Sequence, residues 1–258
     1  MSIIVSTKCV QCSFVPDTGR SSNFPVGEVD VYFGITNELH SKHPALENNI
    51  TSNERLRAEK LHYPEDRYTY IYCHGLLRSI LSKKLRKDPS EVVFCCDKNN
   101  KPGLIGNPCY FNITNDRGVF AFVISKYFYA GIDIEKADRR IDFVPIMNTY
   151  FNSVEREFIL GSKVNAQENF ILLWTRKEAL LKAIGTGIIT NLKQVTVSEE
   201  KNIINKESFD NQIIESVYDE HFIYSEKVHE YYLSIAIPQK AEINLHQINE
   251  ENIISYLT

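Results

Sequence analysis

The chain has 258 residues, of which 43% are hydrophobic and 24% are charged, so it can bury a sizeable core in one large or two small domains. Its formal net charge of -4 argues against nucleic-acid binding, because neutralising a phosphate backbone needs a surplus of Lys and Arg on one surface. No apolar run is long enough to cross a bilayer and the first residues lack the pattern of a secretory leader, so the sequence predicts a cytoplasmic protein with no membrane contact.

The cysteines indicate neither disulfides nor a zinc site. Cys95 and Cys96 are adjacent in a strand-like run, which is poor spacing for disulfides, so reduced thiols are expected for all the cysteines. A lone C-x-x-C begins at Cys9, and its nearest possible partners are His40 and His43. This spacing is looser than that of a structural zinc site, so incidental cysteines are the favoured interpretation.

The first half of the chain alternates strand and helix signals. EVDVYFGI at 28–35 predicts a strand, and the stretch from about Asn53 to Leu85 predicts a helix that Pro64 breaks in two. After Pro89, the apolar runs EVVFCC, CYFNITND and VFAFVI predict three strands, with the turn DKNNKPG after the first of them. This part of the chain is therefore interpreted as an α+β unit.

The second half repeats this order of elements with different residues. AGIDIE predicts a strand, helices are predicted from about Val154 and over 170–184, and QVTV, HFIYSE and YYLSIAI predict further strands. The polar stretch 201–211 is interpreted as a surface hairpin or loop. We therefore expect an α+β fold of two similar, pseudo-duplicated halves, residues 1–120 and 121–258, with the active site at their interface and the metal site in the second half.

The run GIDIEK places two acids two residues apart in a predicted strand. Because side chains alternate along a strand, Ile132 and Ile134 enter the core while Asp133 and Glu135 project from the opposite face, about 7 Å apart. The two carboxylates are then either solvated on an open face or brought together by a divalent cation. Mg²⁺ suits the second interpretation, since it takes one or two carboxylates together with phosphate oxygens and water.

The predicted helix Phe170–Ile184 has no Gly or Pro, and Gly185 is well placed to end it. Trp174, Glu178 and Lys182 share one stripe of this helix, at spacings of i, i+4 and i+8. The acid and the lysine taken alone favour an ordinary surface ion pair, but the aromatic ring on the same stripe indicates a partly buried wall. Glu178 is the best candidate for a third metal ligand, and Lys182 for a cation that neutralises phosphate oxygens.

GIDIE followed some forty residues later by WTRKEALLKAIGTG resembles the signature pair of the 4'-phosphopantetheinyl transferases, in the larger single-chain Sfp type. Weaker matches are YPEDRYTYIYCHGLLRSIL, which resembles the family's first-half helix, NKPGL its Lys-Pro turn and FNITND its phosphate-contacting strand end. The resemblance covers roughly residues 50–240. It implies two similar α+β halves with the active site between them, in a monomer.

The resemblance also implies a reaction. Asp133, Glu135 and Glu178 would coordinate Mg²⁺ at the pyrophosphate of coenzyme A. A serine of an apo carrier protein, whether acyl, peptidyl or aryl, would attack the phosphorus attached to pantetheine, and adenosine 3',5'-bisphosphate would leave. Lys182 would stabilise charge on the transferring phosphoryl or leaving group, while Glu178 or a water on the metal takes the serine proton. Asp133, Glu178 and Lys182 are thus the implied catalytic residues.

Further residues of the resembling segments would hold coenzyme A. Lys101 and Thr114 are implied at its nucleotide end, Trp174 and Lys177 beside the pocket, and Arg67 near the 3'-phosphate. Arg78, on the same predicted helix as Arg67, is left out because a solvated helix residue explains it equally well.

Asn115 is a departure from the family pattern F-N-I-S-H-S. Thr114 keeps a hydroxyl, whereas Asn115 replaces an imidazole that can carry positive charge. An amide can donate a hydrogen bond to phosphate but cannot neutralise it. Asn115 is therefore expected to contact coenzyme A with altered strength.

Two further features have two interpretations each. Glu155 is either an additional carboxylate of the site or, with Asn152, the capping pair at a helix start. The basic cluster of Lys136, Arg139 and Arg140 is either a surface that attracts an acidic partner or a solvated loop, and the loop is favoured.

Two other functions remain open beside the transferase. A non-catalytic relative could bind coenzyme A or a carrier protein without turnover, although such a protein has less need of Asp133, Glu135, Glu178 and Lys182 together. A metal-dependent phosphohydrolase would use the same carboxylates and release phosphopantetheine to water. The carrier could belong to fatty-acid, polyketide or nonribosomal-peptide synthesis, since docking depends on surface shape.

Overall fold

A computed structural model describes residues 27–39, 43–97, 99–161, 165–187, 192–198, 200–203 and 220–257. The C-x-x-C at Cys9 and the nearby His40 lie outside these ranges, as does most of the predicted polar loop at 201–211. Of the helices described, none has the length and apolar character that a membrane span requires.

The first group of elements includes one long helix and five strands. They are β1 (Glu28–Ile35), α1 (Pro44–Asn48), α2 (Ser52–Glu59), α3 (Pro64–Leu85), β2 (Phe94–Cys96), β3 (Pro102–Leu104), β4 (Tyr110–Asp116) and β5 (Val119–Ser125). The predicted break at Pro64 is confirmed, because Pro64 is the first residue of α3. At the start of α2, Thr51 and Glu54 form a capping box.

The second group contains a second long helix and the remaining strands. They are β6 (Gly131–Lys136), α4 (Phe143–Tyr150), α5 (Ser153–Leu160), α6 (Ala166–Ile184), β7 (Glu200–Ile203), β8 (Glu220–Val228), β9 (Tyr231–Ile237), β10 (Glu242–Ile248) and α7 (Ile253–Leu257). Helix α6 ends at Ile184, as predicted, and Gly185 follows in the left-handed conformation at φ 83°.

The strands form two four-stranded sheets and the small hairpin β2–β3. The first sheet has the order β10-β1-β5-β4 and the second β6-β9-β8-β7. Strand β10 pairs with β1 in parallel, whereas the other neighbours are antiparallel. The sheets therefore do not divide at residue 120: β5 runs through that position, and β10 returns from the second group to complete the first sheet.

Each long helix covers one sheet, and a third core joins the two sheets. Leu76 and Leu77 of α3 pack with Phe122 of β5, and Leu180 of α6 packs with Ala236 of β9. A separate cluster combines residues of β1 and β5 with residues of β6 and β9, among them Val29, Val31, Val123, Ile132 and Leu233. The fold is thus mixed α+β, with β4 and β6 meeting where the two sheets adjoin.

The cysteines follow the expectation in part. Cys73, Cys96 and Cys109 carry reduced thiols, as predicted. Cys95 is disulfide-bonded, so the expectation of a reduced thiol is wrong there.

Candidate active site

Strand β6 brings Asp133 to the boundary between the two groups of elements. Its carboxylate oxygen Oδ1 accepts hydrogen bonds from Lys182 Nζ at 2.7 Å and from Thr114 Oγ1 at 3.1 Å. The other oxygen, Oδ2, is buried and has no hydrogen-bond partner among the residues that the structure describes. Asp133 is only 5% exposed, so the opposite face of β6 is not an open solvated surface. A buried carboxylate oxygen without a donor is costly, and it needs an explanation.

The alternation predicted along β6 is confirmed. Ile132 and Ile134 are 0% and 1% exposed in the core between the sheets. Glu135 lies on the same face as Asp133, and its carboxylate pairs with Arg139, whose guanidinium also lies 3.6 Å from Asp116 Oδ2. Burial, followed by the charge of Asp133, raises the pKa of Glu135 to about 7. The two acids of the motif are therefore crowded together in a partly dry environment.

Helix α6 supplies the third carboxylate and a cation. Glu178 and Lys182 lie on the half-buried stripe that the spacing predicts, together with Trp174. Besides Asp133, Lys182 Nζ donates to the Ile132 carbonyl at 3.1 Å. Burial and the charge of Asp133 raise the pKa of Glu178 to about 7. Glu178 thus faces the same buried charge as Glu135 does.

Gly131 explains how the helix reaches the strand so closely. A Cβ atom at this position would lie 2.0 Å from the Ala179 carbonyl oxygen and 2.3 Å from the Ala183 backbone nitrogen. Any other residue would have to move the α6 backbone away from β6. The glycine that begins the GIDIE run therefore lets Lys182 contact Asp133.

Trp174 forms the predicted aromatic wall at the other end of the stripe. Its ring is stacked on Phe170 with the centroids 6.1 Å apart, and it also packs against Tyr150 and Phe151 at 6.0 and 6.3 Å. The indole is partly buried against the core under α6. It lies on the Glu178 and Lys182 side of the helix, as the spacing requires.

Lys177, which the resemblance places beside the coenzyme A pocket, is buried on the core side of α6. Its side chain is 0% exposed, and Nζ contacts Glu155 Oε2 at 3.0 Å and the carbonyl oxygens of Leu192 and Val195 at 3.0 and 2.6 Å. Glu155 in turn forms a capping box with Asn152 at the start of α5. Lys177 has thus entered the core, where its ammonium is fully used, and Glu155 follows the capping interpretation.

The predicted residues of the first group divide between near and far positions. Thr114 contacts Asp133, and Lys101 Nζ reaches the carbonyl of Ala183 at 2.8 Å, near the end of α6. Asn115 is exposed on the other face of β4. Arg67 is exposed at the start of α3, where Nε donates to the Leu61 carbonyl at 2.7 Å. The structure brings Thr114 and Lys101 to the second group of elements, and it describes no such contact for Asn115 or Arg67.

Sequence reasoning missed Asp116 and Arg139 as neighbours of the carboxylates. Asp116 is two residues after Thr114 in β4, so the period of the strand could have placed it on the same face. The basic cluster was instead expected to be a solvated loop, and Arg139 departs from that because it pairs with Glu135. Arg78, which is not among the predicted coenzyme A contacts, is 3% exposed and binds Glu54 in the core, so its role is structural.

The carboxylates of Asp133, Glu135 and Glu178 are suitable ligands for a hard divalent cation, but they are not grouped around a common metal position. Within the described ranges, no three His, Cys, Asp or Glu side chains already form a group that could hold a metal ion. Lys182 and Arg139 occupy the oxygens of Asp133 and Glu135 instead. The partnerless Oδ2 of Asp133 is the free oxygen that such a cation could take.

Residues 129–236, which contain all three carboxylates, match the family model of the 4'-phosphopantetheinyl transferase superfamily. Among curated proteins, the chain is 28% identical over 155 residues to the 4'-phosphopantetheinyl transferase HetI of Nostoc sp., covering 58% of this chain and 65% of the relative. It is 26% identical over 151 residues to the 4'-phosphopantetheinyl transferase Sfp of Bacillus subtilis, covering 57% and 66%.

A third match is longer and weaker. The chain is 23% identical over 234 residues to the L-aminoadipate-semialdehyde dehydrogenase-phosphopantetheinyl transferase of Schizosaccharomyces pombe, covering 78% of this chain and 89% of the relative. The resemblance of the two motifs is thereby confirmed: residues 129–236 are similar to the 4'-phosphopantetheinyl transferase superfamily, and the matched relatives are similar to this chain over a longer stretch.

Proposed function

We propose that the protein transfers 4'-phosphopantetheine from coenzyme A to a serine hydroxyl of an apo carrier protein. The observation that carries the proposal is Asp133, a buried carboxylate held by Lys182 and Thr114 with one oxygen left without a donor. The matched relatives are named for the same activity. Because the chain matches only about two thirds of the length of HetI and of Sfp, 65% and 66%, that activity comes to this protein as a proposal.

Asp133, Glu135 and Glu178 are the residues that would hold Mg²⁺. All three are carboxylates, and burial, followed by the charge of Asp133, raises the pKa values of both glutamates. When bound, the cation would offset this repulsion and neutralise the pyrophosphate oxygens of coenzyme A.

The side chains of this protein would then position the reactants. The serine oxygen forms a bond to the phosphorus that carries pantetheine, and the bond from that phosphorus to the bridging oxygen breaks, so adenosine 3',5'-bisphosphate leaves. Lys182 would turn its ammonium from Asp133 toward the phosphoryl or leaving-group oxygens, where negative charge accumulates. Glu178 would accept the serine proton, since carboxylates commonly serve as general bases.

The positions of the other predicted site residues are the basis for the remaining proposed contacts to coenzyme A. Lys101 lies at the end of α6 and Thr114 beside Asp133, so both could reach a ligand held between the two groups of elements. Trp174 would supply an apolar wall. Arg67 and Asn115 are exposed, and their contacts to the 3'-phosphate and nucleotide remain proposals.

The wider context is proposed as well. Each of the two four-stranded sheets packs with one long helix, α3 or α6, which supports the interpretation of two similar α+β units even though β10 crosses into the first sheet. We also expect a monomer that works in the cytoplasm on acyl, peptidyl or aryl carrier proteins, without nucleic acid or a membrane.

Intact-mass spectrometry of apo carrier proteins tests this function. Representatives of fatty-acid, polyketide and nonribosomal-peptide carriers are incubated with the protein, coenzyme A and Mg²⁺. One phosphopantetheine should be added to a carrier, and the addition should disappear with Asp133→Ala and without metal. Asp138→Ala is the matched control, because this acid is 77% exposed and lies just beyond β6.

Two results would contradict the transferase. Coenzyme A binding in calorimetry without a mass gain on any carrier would leave a non-catalytic binder, with Asn115 as the first residue to examine. Phosphopantetheine free in solution, with the carriers unmodified, would indicate a hydrolase.

A further inference from the structure

Arg139 occupies the carboxylate that a divalent cation would need. Its guanidinium nitrogen Nη1 pairs with Glu135 Oε2, and the same nitrogen lies 3.6 Å from Asp116 Oδ2. The Arg139 side chain is 35% exposed, Asp116 is 20% exposed and Glu135 is 15% exposed. The guanidinium is therefore shared between two partly buried carboxylates, and it is closer to Glu135.

The fold fixes this arrangement from both sides. Arg139 follows Glu135 by four residues in the turn after β6, where its carbonyl accepts a hydrogen bond from Gln167 Nε2 at 2.5 Å. Asp116 follows Thr114 by two residues in β4, so the two side chains share a face. Because Thr114 contacts Asp133, its neighbour Asp116 comes beside Glu135. Thr114 of β4 therefore lies beside Asp133 of β6, and Asp116 lies beside Glu135.

The ion pair of Arg139 with Glu135 opposes the binding of a divalent cation at Glu135. A cation at Glu135 must displace the guanidinium, and a displaced, partly buried cation is unfavourable unless another carboxylate receives it. Asp116 can receive Arg139 with a small movement, since the two charges are already 3.6 Å apart. The exchange keeps each carboxylate paired with a positive charge.

We propose that Arg139 is a latch that holds Glu135 until a divalent cation binds, and that Asp116 then takes over the guanidinium. Arg139 and Asp116 are positioning residues in this scheme: they set how readily Glu135 becomes a ligand. The latch deepens the proposed function, on which it rests for the presence of a cation at Glu135.

Calorimetric titration of the full chain with Mn²⁺, without coenzyme A or carrier protein, tests the latch. Arg139→Gln should lower the apparent dissociation constant about three- to tenfold, because the cation no longer competes with a guanidinium. Asp116→Asn should raise it by a similar factor, because Arg139 then stays on Glu135. Arg140→Gln is the matched control: it removes the same charge from an exposed neighbour and should change the constant less than about twofold.

A double-mutant cycle separates the latch from general electrostatics. If Asp116 acts through Arg139, Asp116→Asn should have little effect once Arg139 is already Gln; a purely electrostatic effect of Asp116 would persist in both backgrounds. Thermal unfolding without metal supplies a second readout. A merely structural role for Arg139 would lower the unfolding temperature and the metal affinity together, whereas the latch raises the affinity.

Unchanged or weaker Mn²⁺ binding by Arg139→Gln would overturn the latch. Additive effects of the Arg139 and Asp116 substitutions in the double-mutant cycle would also overturn it. So would the absence of Mn²⁺ binding by both Arg139→Gln and the unaltered protein. The transferase proposal is tested separately, by the mass gain on the carrier proteins. A protein that modifies carriers while Arg139→Gln leaves Mn²⁺ affinity unchanged refutes only the latch.

Discussion

Helix α6 carries two lysines that each face a carboxylate, and the two pairs differ in how completely they are bonded. Lys177 and Glu155 are 0% and 3% exposed, and backbone groups saturate both side chains. Lys182 is 28% exposed, and its partner Asp133 keeps one buried oxygen that receives no hydrogen bond from any described residue. A saturated pair has no capacity left for a ligand, whereas an unsaturated one does. The first pair therefore stabilises the fold, and the second is proposed to act on substrate.

The largest effect should come from breaking the saturated pair. Lys177→Met leaves the Glu155 carboxylate buried without its counter-charge, so the free energy of unfolding should fall by about 3–5 kcal/mol. Urea denaturation measures the loss. At low temperature, where the variant remains folded, its turnover per folded molecule should stay near that of the unaltered protein; a selective loss of turnover with normal stability would return Lys177 to the active site.

Asp133→Asn should show the opposite behaviour. Removing this charge takes away the central carboxylate of the site, so the initial rate of carrier modification should drop at least about 100-fold. The free energy of unfolding should change by less than about 1 kcal/mol, because the amide can keep the hydrogen bond from Thr114. Rates from intact mass and urea curves on the same preparation decide the matter, and substantial residual turnover would remove Asp133 from the mechanism.

Gly131→Ala tests whether the unsaturated pair depends on the close approach of α6. The new methyl group would meet the Ala179 carbonyl oxygen at 2.0 Å, so the helix must shift and Lys182 should lose its contact with Asp133. We expect about a tenfold lower kcat and a loss of about 1–3 kcal/mol in stability. Gly103→Ala is the control, since its nearest atom there is 3.9 Å away. Equal activity of the two variants would contradict this role of Gly131.

His221 sharpens the comparison, because an unpartnered buried atom alone does not make a site. Within the described part of the chain its Nδ1 has no hydrogen-bond partner, and burial, followed by the charge of Lys101, lowers its pKa to about 4. The unfolded chain then binds more protons than the folded one below about pH 6.5, so His221 should cost about 1 kcal/mol of stability as pH falls from about 6.5 to about 5.5. His221→Gln should flatten that part of the stability profile in urea denaturation; an unchanged slope would contradict the lowered pKa.

Short periodic patterns account for what the sequence predicted well. Alternation placed Ile132 and Ile134 in the core and Asp133 opposite them, and helical spacing placed Glu178 and Lys182 on one stripe. Lys177 was assigned to the pocket from the family pattern, although Leu173 and Leu180 lie one turn away on either side of it and put it on the apolar stripe. The local pattern was the better guide there.

Long-range pairings explain what could not be predicted. The register of β10 against β1 joins Val29 to Ile243, and nothing local to either strand specifies the other. The contact of Arg139 with Asp116 likewise depends on how β4 and β6 adjoin. Side-chain period gives the face of an element, but tertiary packing decides which face meets which.

The parallel pairing of β10 with β1 has a consequence for synthesis on the ribosome. The first strand leaves the ribosome early, yet its neighbour Glu242–Ile248 is made only after the whole second sheet. The first sheet therefore keeps an open edge along β1 until late in translation, and nascent chains are exposed there to mispairing.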